Sequence, residues 1–374
     1  MKNRVIEILC FAILLTTASC DAWRVRMDTQ VFRDGSCERT VWADSDTCLT
    51  RDASWHRSEI RLPRSEAQDL FDRGERPAKE PDTSKDSSRI YLIQKKFVRV
   101  EDMNAYPAVR IYGDTLRSQA TLTKKFKWFY TDYTYTETFA GCEDHFSIPV
   151  TDYMQREEAS FMWTGYPELP QGLTGMEITE YVDVIYDKAT RWQYAVYFDI
   201  VCQVIARHYD DVENPPVDRE TFLSMCDQLA DYAWKQDRDN DAFYRMVADS
   251  HIELFFKEFF HSDAYSVYFH GEKDYQYSNE MEAYYIQHYG MLSLNALYRL
   301  KMPGRITDPG RGTITDGIIN YNLNGTILIP GDYTITATSR AVNVWAFAVL
   351  LFVITVAAGS FLGPRRNNAC HPTI

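Results

Sequence analysis

The chain has 374 residues, with 40 Lys and Arg against 53 Asp and Glu, a net charge of −13. That length suits one large domain or two ordinary ones, and 14% aromatic content argues for a packed globule over a disordered chain. Charge is spread unevenly: residues 51–127 carry net +5 and residues 128–300 net −20, so the larger part repels nucleic acid and no nucleic-acid partner is expected.

The start reads as a leader. Lys2 and Arg4 are followed by an apolar stretch, Ile8–Leu15, too short to span a bilayer, and then by small residues Thr17, Ala18 and Ser19. This is a secretory signal over residues 1–19. The cysteine after Thr-Ala-Ser resembles the lipobox of bacterial lipoproteins. The resemblance implies cleavage before Cys20 and acylation of its thiol and new N-terminus, with palmitate-type chains. Thr17 stands where that family usually has Leu, and Glu7 is unusual beside the apolar core. An ordinary leader cut near Ala18, or an uncleaved anchor, is the other reading. In the family, Asp directly after the cysteine, here Asp21, retains the protein in the inner membrane.

Two alternating runs flank Asp34-Gly35 and predict a hairpin. A polar stretch over 60–88 holds a short helix around Ser65–Asp72, and "RIYLIQKKFVRV" returns to strand. Lys124–Phe139 reads as a long strand, with Phe126, Trp128 and Tyr130 on one face and Phe129, Tyr133, Tyr135 and Phe139 on the other. Such a row suits core packing, or stacking on sugar or peptide if exposed.

From Thr151 the period changes to helical. A first helix reaches Trp163; a second, Met176–His208, carries the stripe Ile178, Val182, Ile185, Ala189, Trp192, Val196. Asp218 caps a third, with Val217 and Phe222 as a staple. Phe243, Met246, Leu254 and Phe259 mark another, and Asn279 with Glu282 opens a last one running to about Leu300. Strand pattern resumes after Gly304, and Asn324-Gly325 is the strongest hairpin signal in the chain. Then Val344–Leu362 runs without a charge. Trp345 stands at one edge beside Arg340, and Arg365 and Arg366 follow the other, which places the tail inside by the positive-inside rule.

The expected fold class is α+β: an antiparallel β unit built from residues 20–150 and 304–342, a helical bundle inserted over 151–303, a transmembrane helix over 343–363 and a cytoplasmic tail over 364–374. This layout is expected to bring both anchors to one face of the β unit. "KFKWFYTDYTYTETF", "IPVTDYMQREEASFMWTGY" and "LIPGDYTITATSRAVNVWAFAV" resemble blocks of an uncharacterised group of bacterial envelope lipoproteins with lipid and C-terminal span together. The layout is also similar to mycobacterial-type lipoproteins with a β-rich domain before one C-terminal helix. Neither likeness carries an activity.

Chemistry is sparse in the sequence. Cys37 and Cys48 are expected on neighbouring strands as a disulfide, and Cys202 and Cys226, on successive helices, are a second pairing. "DRDND" begins like a calcium loop, but Ala242 and Ala248 stand where Gly and Glu are needed. Glu258 and His261 form a Glu-x-x-His, with His251 on the same face, as weak metal candidates; a helix-end histidine is the plainer reading. There is no Gly-x-Ser-x-Gly and no phosphate-binding loop, so no catalytic residue is named and no cofactor is called for. The expected function is a non-enzymatic, membrane-anchored lipoprotein of the inner membrane with a periplasmic domain. It would contact lipid at both termini and bind or assemble an envelope protein, lipid or glycan. The rival is an envelope hydrolase, a lipid-modifying enzyme or a lipid carrier.

Overall fold

The computed structural model describes residues 23–73, 87–165, 171–238, 249–270 and 274–362. The leader, Cys20, Phe243, Met246, Arg365 and Arg366 lie outside them. In chain order the first strands are β1 (Trp23–Val31), β2 (Cys37–Ala43) and β3 (His56–Pro63), then helix α1 (Arg64–Asp72) and β4 (Ser87–Phe97). Two short strands, β5 (Arg110–Ile111) and β6 (Asp114–Thr115), precede the long hairpin β7 (Ser118–Lys127) and β8 (Tyr130–Phe139). The helical insert holds α2 (Arg156–Thr164), α3 (Gly175–Arg207), α4 (Arg219–Ser224), α5 (Cys226–Arg238), α6 (Asp249–Phe260) and α7 (Asp274–Tyr289). The chain then returns through β9 (Leu294–Lys301), β10 (Arg305–Asp308), β11 (Thr313–Thr315), β12 (Ile318–Asn324) and β13 (Tyr333–Val342) to α8 (Val344–Leu362).

Among the described residues the β unit is a sandwich. A seven-stranded sheet, β11-β12-β9-β1-β2-β4-β3, faces a four-stranded antiparallel sheet, β10-β13-β8-β7. The fold is therefore α+β with strands from both ends of the chain, as expected, but the large sheet is mixed: β1 pairs with β9 in parallel, Met27 opposite Tyr298. The expected last bundle helix is shorter than its pattern suggested. It ends at Tyr289, and Leu294, Ala296, Tyr298 and Leu300 are fully buried at alternate positions of β9. Leu, Ala and Lys favour helix locally, yet the period of two and the open edge of β1 decide for strand.

The hairpin at Asp34-Gly35 forms, with Gly35 at φ +99° and Val31 opposite Cys37. Asn324-Gly325 does not turn a hairpin. It carries the chain from the large sheet at β12 to the small sheet at β13 through a 3-10 turn, whose Ile327 N–H is capped by Asn324 at 3.1 Å. Glycine is required there for space: a Cβ on Gly325 would stand 2.2 Å from the Met291 carbonyl oxygen.

Three apolar clusters follow. The largest fills the sandwich and takes in Trp192 and Val196 of α3. A second, strongly aromatic, is the core of the insert around Phe198, Phe222, Phe256 and Tyr265. The third lies where Leu70 and Phe71 of α1 cover the outer face of the large sheet at Ile90. The outward face of the small sheet is threonine: Thr138 meets Thr334 at 2.9 Å, and Thr307 meets Thr338 at 2.7 Å.

The insert leaves the sandwich after Phe139, nine residues and about 30 Å along β8 from the turn at Trp128-Phe129. At the opposite, turn end, Arg33 reaches the Val342 carbonyl at 3.4 Å, and α8 begins. Trp23 stands eight residues, about 26 Å, up β1 from that end. The two termini of the β unit are thus not brought to one face, contrary to the sequence expectation, because β1 and β13 run the same way: Arg33, just past the end of β1, meets Val342 at the end of β13, which leaves Trp23 at the other end. Among the described residues no helix is both long and apolar enough to cross a membrane.

Candidate ligand cavity between the sheets

In β2 every second residue points into the sandwich: Cys37, Arg39, Val41 and Ala43 are buried. In β8 the inward set is Tyr133, Tyr135, Glu137 and Phe139. The alternation that makes the core therefore also places one cation and one carboxylate inside it, facing each other across the two sheets. Arg39 Nη1 donates to Glu137 Oε1 at 2.9 Å and Nη2 to Oε2 at 2.7 Å, a bidentate pair.

The remaining capacity of both groups is used. Glu137 also accepts from Ser118 Oγ at 2.6 Å, Tyr135 Oη at 2.6 Å and Tyr298 Oη at 2.5 Å. Arg39 Nε and Nη2 donate to Thr29 Oγ1 at 3.1 and 3.0 Å. Burial pushes the Glu137 carboxyl up, but the Arg39 guanidinium and the hydrogen bonds from Arg39, Ser118 and Tyr135 outweigh it and hold it below the ordinary glutamate value. Burial lowers Arg39 and the Glu137 charge more than restores it, so it stays protonated. Burial, then Glu137, pushes the Tyr135 phenol up, and Tyr298 is raised by the same causes, so both remain donors. A carboxylate held ionised near neutral pH by four donors makes a poor general acid and a poor general base. The cluster's chemistry is that of a clamp joining the sheets.

Arg39 also borders a cavity of about 750 Å³. Its apolar wall is Met27, Met103, Leu116 and Phe139; Asn104 and Asp332 supply polar groups. That volume and mixture suit a small amphipathic ligand.

The residues singled out in the sequence sit elsewhere. Cys37 opens β2 and Cys48 lies past its far end, not on a neighbouring strand, and both thiols are buried and free. Burial pushes each up to about 12. Cys202 and Cys226 are free as well and adjacent in the insert; burial first, then Cys226, raises the Cys202 thiol. Glu258 is exposed and accepts from Tyr232 Oη at 3.0 Å. His261 follows the last residue of α6 at φ +50°, off the helix face, and the His251 side chain lies outside the described residues. Among the described residues no group of three or more His, Cys, Asp or Glu could hold a metal ion.

Of the aromatic row, Tyr133, Tyr135 and Phe139 are core. Phe126, Trp128 and Phe129, at the tip, are exposed and lie against α8: Phe126 and Trp128 contact Trp345 at 6.2 and 5.3 Å between ring centroids, and Phe129 contacts Phe347 at 5.0 Å. Arg340 pairs with Asp132 at 2.7 Å and lies over the Tyr130 ring. The inward Arg39 and Glu137 escaped the sequence reading. Their signal was a single charge at an inward register position in each of two otherwise apolar alternations. No family model, curated protein or solved structure matches this chain.

Proposed function

We propose that the protein is a membrane-anchored, non-enzymatic lipoprotein of the bacterial envelope, with α8 as its span and the sandwich and insert outside the cytoplasm, binding or assembling envelope components. The observation that carries this reading is the state of α8. It leaves β13 after one residue and has 19 residues without a charge. Leu351, Phe352 and Val353 are more than half exposed. From Phe347 to Gly359 every residue is exposed, and an apolar helix left bare over that length calls for hydrocarbon around it. Counted to Leu362 it is about 28 Å long, close to the ~30 Å of a bilayer core.

With α8 in the bilayer, the insert joins the sandwich at the end of β8 and β9 away from the helix, beside Trp23 at the start of β1. Acylation at Cys20 remains part of the proposal. Two residues separate Cys20 from Trp23, a reach of about 11 Å, so a lipid there requires β1 to lie along the bilayer surface. The test is fractionation of the full chain. The expected result is a protein that resists alkaline extraction from membranes and becomes extractable when residues 344–362 are deleted. Intact mass of the membrane-extracted protein decides Cys20, and a reporter after Ile374 is expected in the cytoplasm. Release of the full chain by alkali refutes the span.

The 750 Å³ cavity favours a second reading, a carrier of a small lipid or similar ligand. Native mass spectrometry of protein taken from its own membranes is expected to show a bound small molecule if this holds. Only the bare chain mass would count against it.

A further inference from the structure

We propose that the Trp128-Phe129 turn is a second membrane contact, seated among the phospholipid headgroups beside the entry point of α8, with the lysines of β7 set against lipid phosphates. The inference rests on the reading of α8 as a span.

The first observation is the composition of the turn. Lys127 pairs with Tyr130, so Trp128 and Phe129 alone form the hairpin loop. Two-residue loops favour Asn, Asp or Gly, whose backbones reach positive φ at low cost. Here two large rings hold those places, neither at positive φ, and neither is sheltered: Trp128 is 51% and Phe129 38% exposed, beside Phe126 at 60%. Local turn chemistry gains nothing from them. Contiguous bare aromatics of this kind mark an interaction surface.

The second observation fixes the depth of that surface. Asn343, the residue between β13 and α8, holds the loop. Its N–H donates to the Phe129 carbonyl at 2.9 Å, and its side-chain amide to the Lys127 and Trp128 carbonyls at 3.2 and 3.3 Å. The rings meet Trp345 and Phe347, within the first turn of α8. The loop therefore stands level with the point where a spanning helix enters the headgroup zone, and Trp at that depth is an interfacial anchor.

The third observation is charge. Lys124, Lys125 and Lys127 are exposed just above the loop, and Arg33 and Arg340 lie nearby. The facing acids are Asp34 and Asp132; Lys127 and Arg340 both pair with Asp132, at 3.2 and 2.7 Å. Cations outnumber acids, which suits phosphate. Bare rings below a cationic collar, continuous with an apolar helix, match a bilayer surface better than a protein partner.

The test uses the full chain in vesicles of phosphatidylethanolamine and phosphatidylglycerol, with a benzophenone-bearing phenylalanine placed in turn at Phe129, at Leu351 in α8, and at Leu223 in the insert. After irradiation, lipid adducts are read by mass. Adducts at 129 and 351 and none at 223 are expected. Adducts at 351 alone overturn the proposal while leaving the span intact, and crosslinks from 129 to protein instead of lipid do the same. Adducts at 129 alone keep the loop contact and remove the span. No adduct at either position overturns both.

Discussion

The sandwich and the helical insert solve the same problem, burying many large side chains, in different ways. The sandwich core contains a fully buried ion pair, Arg39 with Glu137, bridged by two phenols and two hydroxyls from both sheets. The insert core is built from packed rings: Phe222 lies 5.1 Å from Tyr265 and 5.7 Å from Phe260, with phenols such as Tyr209 and Tyr265 bonded at 3.0 Å, and its buried carboxylate, Glu253, pairs at the rim with the partly exposed Lys257 and His270. The sandwich joins segments distant in sequence, β2, β8 and β9, and a directional charge pair fixes their mutual register. Neighbouring helices joined by short loops need no such key. Buried ion pairs serve specificity better than stability. The comparison teaches that the two cores have similar tolerance for damage but different tolerance for repair.

The largest effects test that difference directly. Arg39→Met strands a buried carboxylate and is expected to cost about 3–5 kcal/mol in denaturant unfolding of the sandwich. Adding Glu137→Leu is expected to restore most of that loss, since a matched apolar pair removes both desolvation penalties. Phe222→Ala in the insert is expected to cost a similar ~3–5 kcal/mol, read as loss of amide-exchange protection in α4 and α5. A second truncation, Phe260→Ala, deepens that loss instead of repairing it. If Arg39→Met with Glu137→Leu stays as unstable as Arg39→Met alone, the comparison fails.

A smaller effect concerns the phenols. Tyr298→Phe removes a donor to a charged acceptor and is expected to cost about 1.5–3 kcal/mol, measured by the same unfolding transition. A loss below experimental error would show that Tyr135 and Ser118 suffice for Glu137.

The smallest effect is in pH dependence. The Glu137 carboxyl is held below its ordinary 4.5 in the folded state. A depressed carboxylate binds fewer protons folded than unfolded above its folded value, so its contribution is full above about pH 4.5 and is lost as pH falls through the depressed value. Acid titration of the wild type should therefore show a steeper stability loss below pH 4.5 than that of the Arg39→Met, Glu137→Leu double variant. Equal acid slopes in the two would mean that other carboxylates carry the whole acid transition.

By itself the sequence determined the elements whose signal is local. Asp34-Gly35 turns a hairpin because glycine reaches φ +99° freely, Asp218 caps α4 through the Thr221 N–H, and the stripe through Ile185, Ala189 and Trp192 makes α3. The uncharged run of α8 and the α+β class with strands at both ends were legible for the same reason. Tertiary structure alone decided the rest. Leu294–Lys301 is a strand because β1 offers it an edge, and Asn324-Gly325 is a corner between sheets because Gly325 must pass the Met291 carbonyl. Arg39 and Glu137 form a site because two inward registers separated by about a hundred residues meet across the sandwich. Whether Trp128 and Phe129 are core or surface depended on where the β7–β8 hairpin ends relative to α8. Local propensity sees the nearest few residues; register between distant strands, and the burial that follows from it, are set only when the chain closes on itself.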